Sequence, residues 1–244
     1  MISALNLLHK YGSILREMIN SKIWGSKRSI KRLLRLNKDA DWDFLTAAMD
    51  IIDDASAAIS NVQRFGLSGP TKYDDLGEKY LRLHGLLSAT YIQQQSILTI
   101  YQTMNVPNPK ILKERFDALQ IRKLRHKLSA HSTDYLNKES KTKEAYVPLR
   151  FDLGDKQITA VRHASTMHHE TVNLSEAIEV HTKLMIDAMD TIVEKAIKTI
   201  LVGQDKKQKE FAADLSDLRI EKGGGLVFKG RGTPKIIVTF VGSK

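Results

Sequence analysis

Apolar residues recur along most of the chain at three- and four-residue steps, the spacing of a helix that buries one face. Leu5, Leu8, Ile14, Leu15, Met18 and Ile19 predict a first helix, interrupted near Gly12 or ending near Asn20. Residues 41–64 predict another, with acids early and Arg64 late, as the helix dipole favours. Phe65-Gly-Leu-Ser-Gly-Pro70 reads as a turn. The longest stripe covers residues 74–104 through Leu76, Tyr80, Leu83, Leu87, Tyr91, Leu98 and Tyr101, and Gln94 interrupts it. Val106-Pro-Asn-Pro109 breaks that helix, and Pro109 suits the first turn of the next. Residues 110–120 and 121–136 continue as basic helices.

The period then changes. Tyr146 to Leu153, a Gly154-Asp-Lys156 turn and Gln157 to Arg162 predict a small β-hairpin within residues 145–163. Asn173-Leu-Ser-Glu176 resembles a capping arrangement and opens a helix running to about Val202 through Leu174, Ile178, His181, Met185, Ala188 and Ile192. Residues 205–222 form a charged helix, Gly223 to Gly225 a hinge, and residues 226–241 two short strands around Gly230-Arg-Gly-Thr-Pro234. The expected fold is all-α: a helical bundle over residues 1–203 with a β-hairpin insertion, then a charged helix and a Gly-rich β-tail over residues 204–244.

The 244 residues include no Cys, which excludes disulfides, zinc ribbons, iron–sulfur clusters and cysteine nucleophiles. The start lacks a basic region followed by a long apolar run, so no signal peptide is expected. No stretch reaches the roughly 18 apolar residues of a membrane span, and a cytoplasmic location is expected. A net charge of +10 favours polyanionic partners.

That charge is concentrated first in Lys22, Lys27, Arg28, Lys31, Arg32, Arg35 and Lys38, with no acid between residues 20 and 38. This segment reads as a solvated basic face or as a nucleic-acid-facing helix. Ile23, Ile30, Leu33, Leu34 and Leu36 make it amphipathic, so a membrane-surface role is the third option. His163, His168, His169 and Glu170 cluster locally, and a structural loop accounts for them better than a metal site. His84 and His181 sit on apolar stripes and read as hydrogen-bonded core histidines. Gly223 to Gly232 lacks the spacing of a phosphate loop, and no nucleophile elbow, H-E-x-x-H pair or kinase signature occurs. No cofactor and no metal are expected.

The informative stretch is Ile121-Arg-Lys-Leu-Arg-His-Lys-Leu-Ser-Ala-His-Ser-Thr-Asp-Tyr135. On a straight α-helix Ile121, Leu124, Leu128 and Tyr135 fall within about 60° of arc, with Arg125 about 70° to one side and His131 about 50° to the other. Arg125 and His131 then flank the buried face about 9 Å apart along the axis, and His126 points away. A second copy packed on this face would place two Arg and two His in one cleft.

Arg125-His126-Lys-Leu-Ser-Ala-His131 resembles the R-x(4-6)-H motif of the HEPN superfamily, in which a polar residue often follows the Arg, as His126 does here. The helix from Tyr80 to Gln95 is similar to those that precede the motif in bacterial members. The resemblance spans roughly residues 40–200 in layout, and its diagnostic content is this one motif. It implies a HEPN-type, metal-independent endoribonuclease, a toxin or defence enzyme, that acts on RNA as a homodimer and has a cognate antitoxin or defence partner protein. Arg125 and His131 would be catalytic, while His126, Lys127, Arg122 and Lys123 would bind flanking phosphates. The chemistry is coherent: an imidazole exchanges protons near neutrality, and a guanidinium holds two phosphate oxygens of a pentacoordinate phosphorane. Attack by a 2′-hydroxyl would spare DNA. The alternative is a HEPN-like module without catalysis that binds nucleotide, RNA or a partner.

Overall fold

The computed structural model describes residues 4–72, 74–137, 140–163, 167–228 and 235–239. The expected turn at residues 230–234 and the end of the last expected strand lie outside the described residues. Eight α-helices are seen among those described: α1 (Ala4–Ile23), α2 (Ile30–Leu34), α3 (Asp41–Phe65), α4 (Leu76–Thr103), α5 (Pro109–Ala118), α6 (Gln120–Arg125), α7 (Leu174–Ile200) and α8 (Asp205–Lys222). Six strands join them: β1 (Tyr135–Leu136), β2 (Lys143–Pro148), β3 (Gln157–His163), β4 (His168–Asn173), β5 (Leu226–Phe228) and β6 (Ile236–Val238). No helix among the described residues is long and apolar enough to cross a membrane.

The chain groups into two compact units. One comprises Met1–Ala47, Thr99–Pro107 and Met185–Lys244. Here α1 runs unbroken through Gly12, because burying Leu8, Tyr11, Leu15 and Met18 outweighs the roughly 1 kcal/mol helix cost of one glycine. Phe211, Leu215 and Leu218 of α8 are buried, and α8 packs on α1. The cations at the end of α8 are matched by acids on α7: Arg219 with Asp190 at 2.8 Å and Lys222 with Asp187 at 2.7 Å. β5 and β6 pair antiparallel behind Gly223 to Gly225.

The other unit comprises Ala48–Leu98 and Asn108–Leu184. It holds a four-stranded antiparallel sheet in the order β1-β2-β3-β4. The expected hairpin is its centre, with Tyr146 opposite Arg162 and Val147 opposite Val161. The sheet is wider than expected because His168–Asn173 pairs with β3 and Tyr135–Leu136 with β2. The fold is mostly helical, with this small antiparallel sheet and the two-stranded tail as its β-structure. Ile158, Ala160, Val161 and Val172 bury the sheet, and the Asn173 side chain accepts the Glu176 N–H at 3.1 Å, capping α7.

Candidate functional site: a cationic histidine cleft

The helix expected over residues 121–136 ends early. α6 gives way at His126 to a π-type turn, His126–Ala130, closed by the His131 N–H donating to the His126 carbonyl at 2.9 Å. The chain then turns, and the Tyr146 N–H donates to the Ser132 carbonyl at 2.7 Å, starting the strand pairing that ends the helix. An i→i+5 turn has a physical consequence: residues five apart share a face. The His126 and His131 rings accordingly stack, with centroids 6.1 Å apart and planes 20° from parallel. The straight-helix expectation that His126 points away is corrected by this one hydrogen-bond register.

Both imidazoles lie in the wall of an open cleft of about 560 Å³, with Lys113, Lys123, Arg122 and Asp134 beside them. His131 is exposed, and its Nδ1 lies 3.3 Å from the Asp134 carboxylate, which leaves Nε2 as the outward nitrogen. Burial, then the cationic neighbours Arg122 and Arg125 and the His131 ring, hold His126 below the ordinary imidazole value, against a small opposing pull from Asp117. These surroundings favour the neutral form of His126.

The other motif residues are more engaged than expected. Arg125 is half-buried, its guanidinium carbon 3.6 Å from the centre of the Tyr91 ring, and it is not part of the cleft wall. Arg122 is buried rather than a free phosphate ligand: Nη1 donates to Gln94 at 2.9 Å and Nε lies 2.9 Å from the Asp117 carboxylate. Lys127 pairs with Glu170 and lies over the Tyr146 ring at 4.9 Å. Lys123 is exposed in the cleft wall. His84 is exposed rather than core, with Nδ1 2.8 Å from the Ser129 hydroxyl. His163, His168, His169 and Glu170 lie on β3 and β4 instead of a loop, and among the described residues no group of three or more His, Asp or Glu could hold a metal ion.

Behind Arg122 runs a buried chain of side chains. Gln94 accepts from Arg122 through Oε1, so its amide N–H₂ faces His181 Nδ1 at 3.1 Å. That nitrogen must accept, so the His181 proton sits on Nε2, which donates to Gln93 Oε1 at 2.8 Å. Gln93 in turn donates to the Ser56 hydroxyl at 2.8 Å, and Ser56 to the Ile52 carbonyl at 2.7 Å. Each donor finds an acceptor in one direction. Burial pushes His181 down to about 3, so it stays neutral and keeps this polarity. Gln94's break in the apolar stripe, and His181 on the stripe of its own helix, were the signals of this chain in the sequence. Asp117 and Asp134 gave none, because neither sits in a motif.

No protein-family model, curated protein or solved structure matches this chain. The HEPN resemblance therefore rests on Arg125, His131 and the helix before them.

Proposed function

We propose that the chain is an endoribonuclease whose cleft binds single-stranded RNA and cleaves it by attack of a 2′-hydroxyl on the adjacent phosphorus. Supporting this is one observation above others: two stacked imidazoles, His126 and His131, share the wall of a lysine-bearing cleft. His126, kept neutral by burial and its cationic neighbours, takes the 2′-hydroxyl proton. The 2′-oxygen–phosphorus bond forms and the phosphorus–O5′ bond breaks. His131, oriented by Asp134, returns a proton to the departing O5′. Lys123 offers charge to the phosphate, and Arg125 keeps a cation beside His126. A second copy on this face would add a second Arg125 and His131, which is the homodimer the motif implies.

A non-catalytic RNA-binding module is the second reading, favoured by Arg125 lying on Tyr91 outside the cleft wall. One experiment separates the two. Labelled single-stranded RNA is incubated with the protein in EDTA, binding is followed by anisotropy and cleavage on a gel. Cleavage by the wild type that falls ~100-fold or more in His126→Ala and His131→Ala, with binding retained, supports the nuclease. Bound RNA that stays intact supports the module and removes catalysis.

A further inference from the structure

The basic run from Lys22 to Lys38 takes no part in the cleft. Its charges are presented by turns: α1 ends at Ile23, Gly25 turns the chain with φ of 73°, and α2 spans Ile30–Leu34 alone. The apolar residues that made this segment amphipathic face inward, Leu34 and Leu36 buried and Ile30 and Leu33 half-buried. No apolar helical face is left for a lipid surface.

What is left outside is an indole among cations. Trp24 is 85% exposed. With Lys22, Arg28 and Lys207 it lines a concavity of about 380 Å³ whose wall contains no carboxylate. Among the described residues neither Lys22, Arg28 nor Arg35 makes an ion pair, and the Lys207 ammonium donates to the Ser21 carbonyl at 2.9 Å. The contrast with the other end of α8 is plain, where Arg219 and Lys222 are matched by acids. Burial, then Arg35, Lys207 and Arg28, hold the Lys22 ammonium below the ordinary lysine range. Folding thus gathers like charges in a wall that, among the described residues, holds no carboxylate, and an anion would relieve that repulsion. A large aromatic face held in water beside such charges matches single-stranded nucleic acid, in which each phosphate is followed by an unpaired base free to stack.

We propose that this concavity binds single-stranded nucleic acid, seating a phosphodiester among Lys22, Arg28 and Lys207 and stacking one base on Trp24. The site needs no 2′-hydroxyl and no cleavage, so it stands independently of the cleft.

The chain has two tryptophans, so a Trp42→Phe variant makes Trp24 the sole indole reporter. The probe is a short single-stranded oligothymidylate, which the cleft cannot cleave because DNA lacks the attacking hydroxyl. Titration should quench Trp24 saturably. Anisotropy of labelled oligonucleotide should show Arg28→Glu weakening binding ~10-fold or more, Trp24→Ala weakening it ~5- to 100-fold, and Arg28→Lys preserving it. Arg28 and Trp24 are exposed, so these changes leave the fold intact. Unchanged emission overturns the proposal, as does Arg28→Glu binding as tightly as the wild type. A duplex of equal length that binds equally well removes the stacking, and phosphatidylserine vesicles that shift Trp24 emission while the oligonucleotide does not make the patch a membrane contact instead.

Discussion

At the scale of single residues the decisive feature is the environment of His126. Burial comes first, and Arg122, Arg125 and His131 add repulsion, so protonating His126 is harder than protonating a free imidazole. A lowered value means the neutral, proton-accepting form persists further into acid. For the proposed nuclease, the acidic limb of the cleavage rate should therefore lie below imidazole's ordinary value of ~6.5. Arg125→Gln removes one of these repulsions, and the limb should move towards neutrality. A pH–rate profile checks this, and a limb that stays in place removes Arg125 from His126's surroundings. A second prediction concerns Gln94. Gln94→Leu leaves Arg122 Nη1 and His181 Nδ1 buried without partners, which should cost about 2–4 kcal/mol in urea unfolding. A loss under about 1 kcal/mol would mean that other groups, or water, replace the amide.

At the scale of elements, the loop after α3 is pinned by the turn before β3. Gly66 has φ of 66°, and a methyl group there would overlap the Asp155 carboxyl, whose Oδ1 accepts the Ser68 N–H at 2.8 Å. Gly66→Ala should thus destabilise by about 1–3 kcal/mol in thermal or urea unfolding. Asp155 is also a pH reporter. Burial pushes its carboxyl up, but hydrogen bonds from Ser68 and Leu67 and the Lys79 charge together hold it below the usual range. A lowered carboxyl contributes stability that is complete above the ordinary carboxylate value of ~3.9 and is lost as pH falls through the folded value. Asp155→Asn should flatten the acid limb of the urea midpoint against pH, and an unchanged limb would assign acid sensitivity elsewhere, for example to Glu144, which Tyr146, Asn137 and Arg162 hold low in the same way against its burial.

Elements also show where the sequence is transparent. The helices α4 and α7 followed directly from apolar steps, since burial of one face repeats every three or four positions, while α3 followed from its acids early and Arg64 late and α8 from its charged run. β4 did not: only Val172 of its six residues is buried, so no alternation marks it. The π-type turn was equally silent, because a single extra residue in a turn changes neither composition nor apolar spacing enough to read. That silence hid the His126–His131 stack, although both residues were singled out by the motif.

For the whole molecule, charge is the guide. A net charge of +10 lowers the free energy of any polyanion complex, and its salt dependence counts the contacts. For single strands each phosphate neutralised contributes a slope of ~0.7 in log affinity against log salt, so Lys123→Ala should reduce the slope by about that amount. An unchanged slope would place Lys123 outside the proposed RNA path.

The end group left on cut RNA tests the cleft chemistry most directly. Single-stranded RNA incubated with the wild type in EDTA should yield fragments whose mass carries a 2′,3′-cyclic phosphate, and His131→Ala should yield none. RNA left whole, fragments ending in a 3′-hydroxyl, or undiminished cutting by His131→Ala would contradict a nuclease built on His126 and His131.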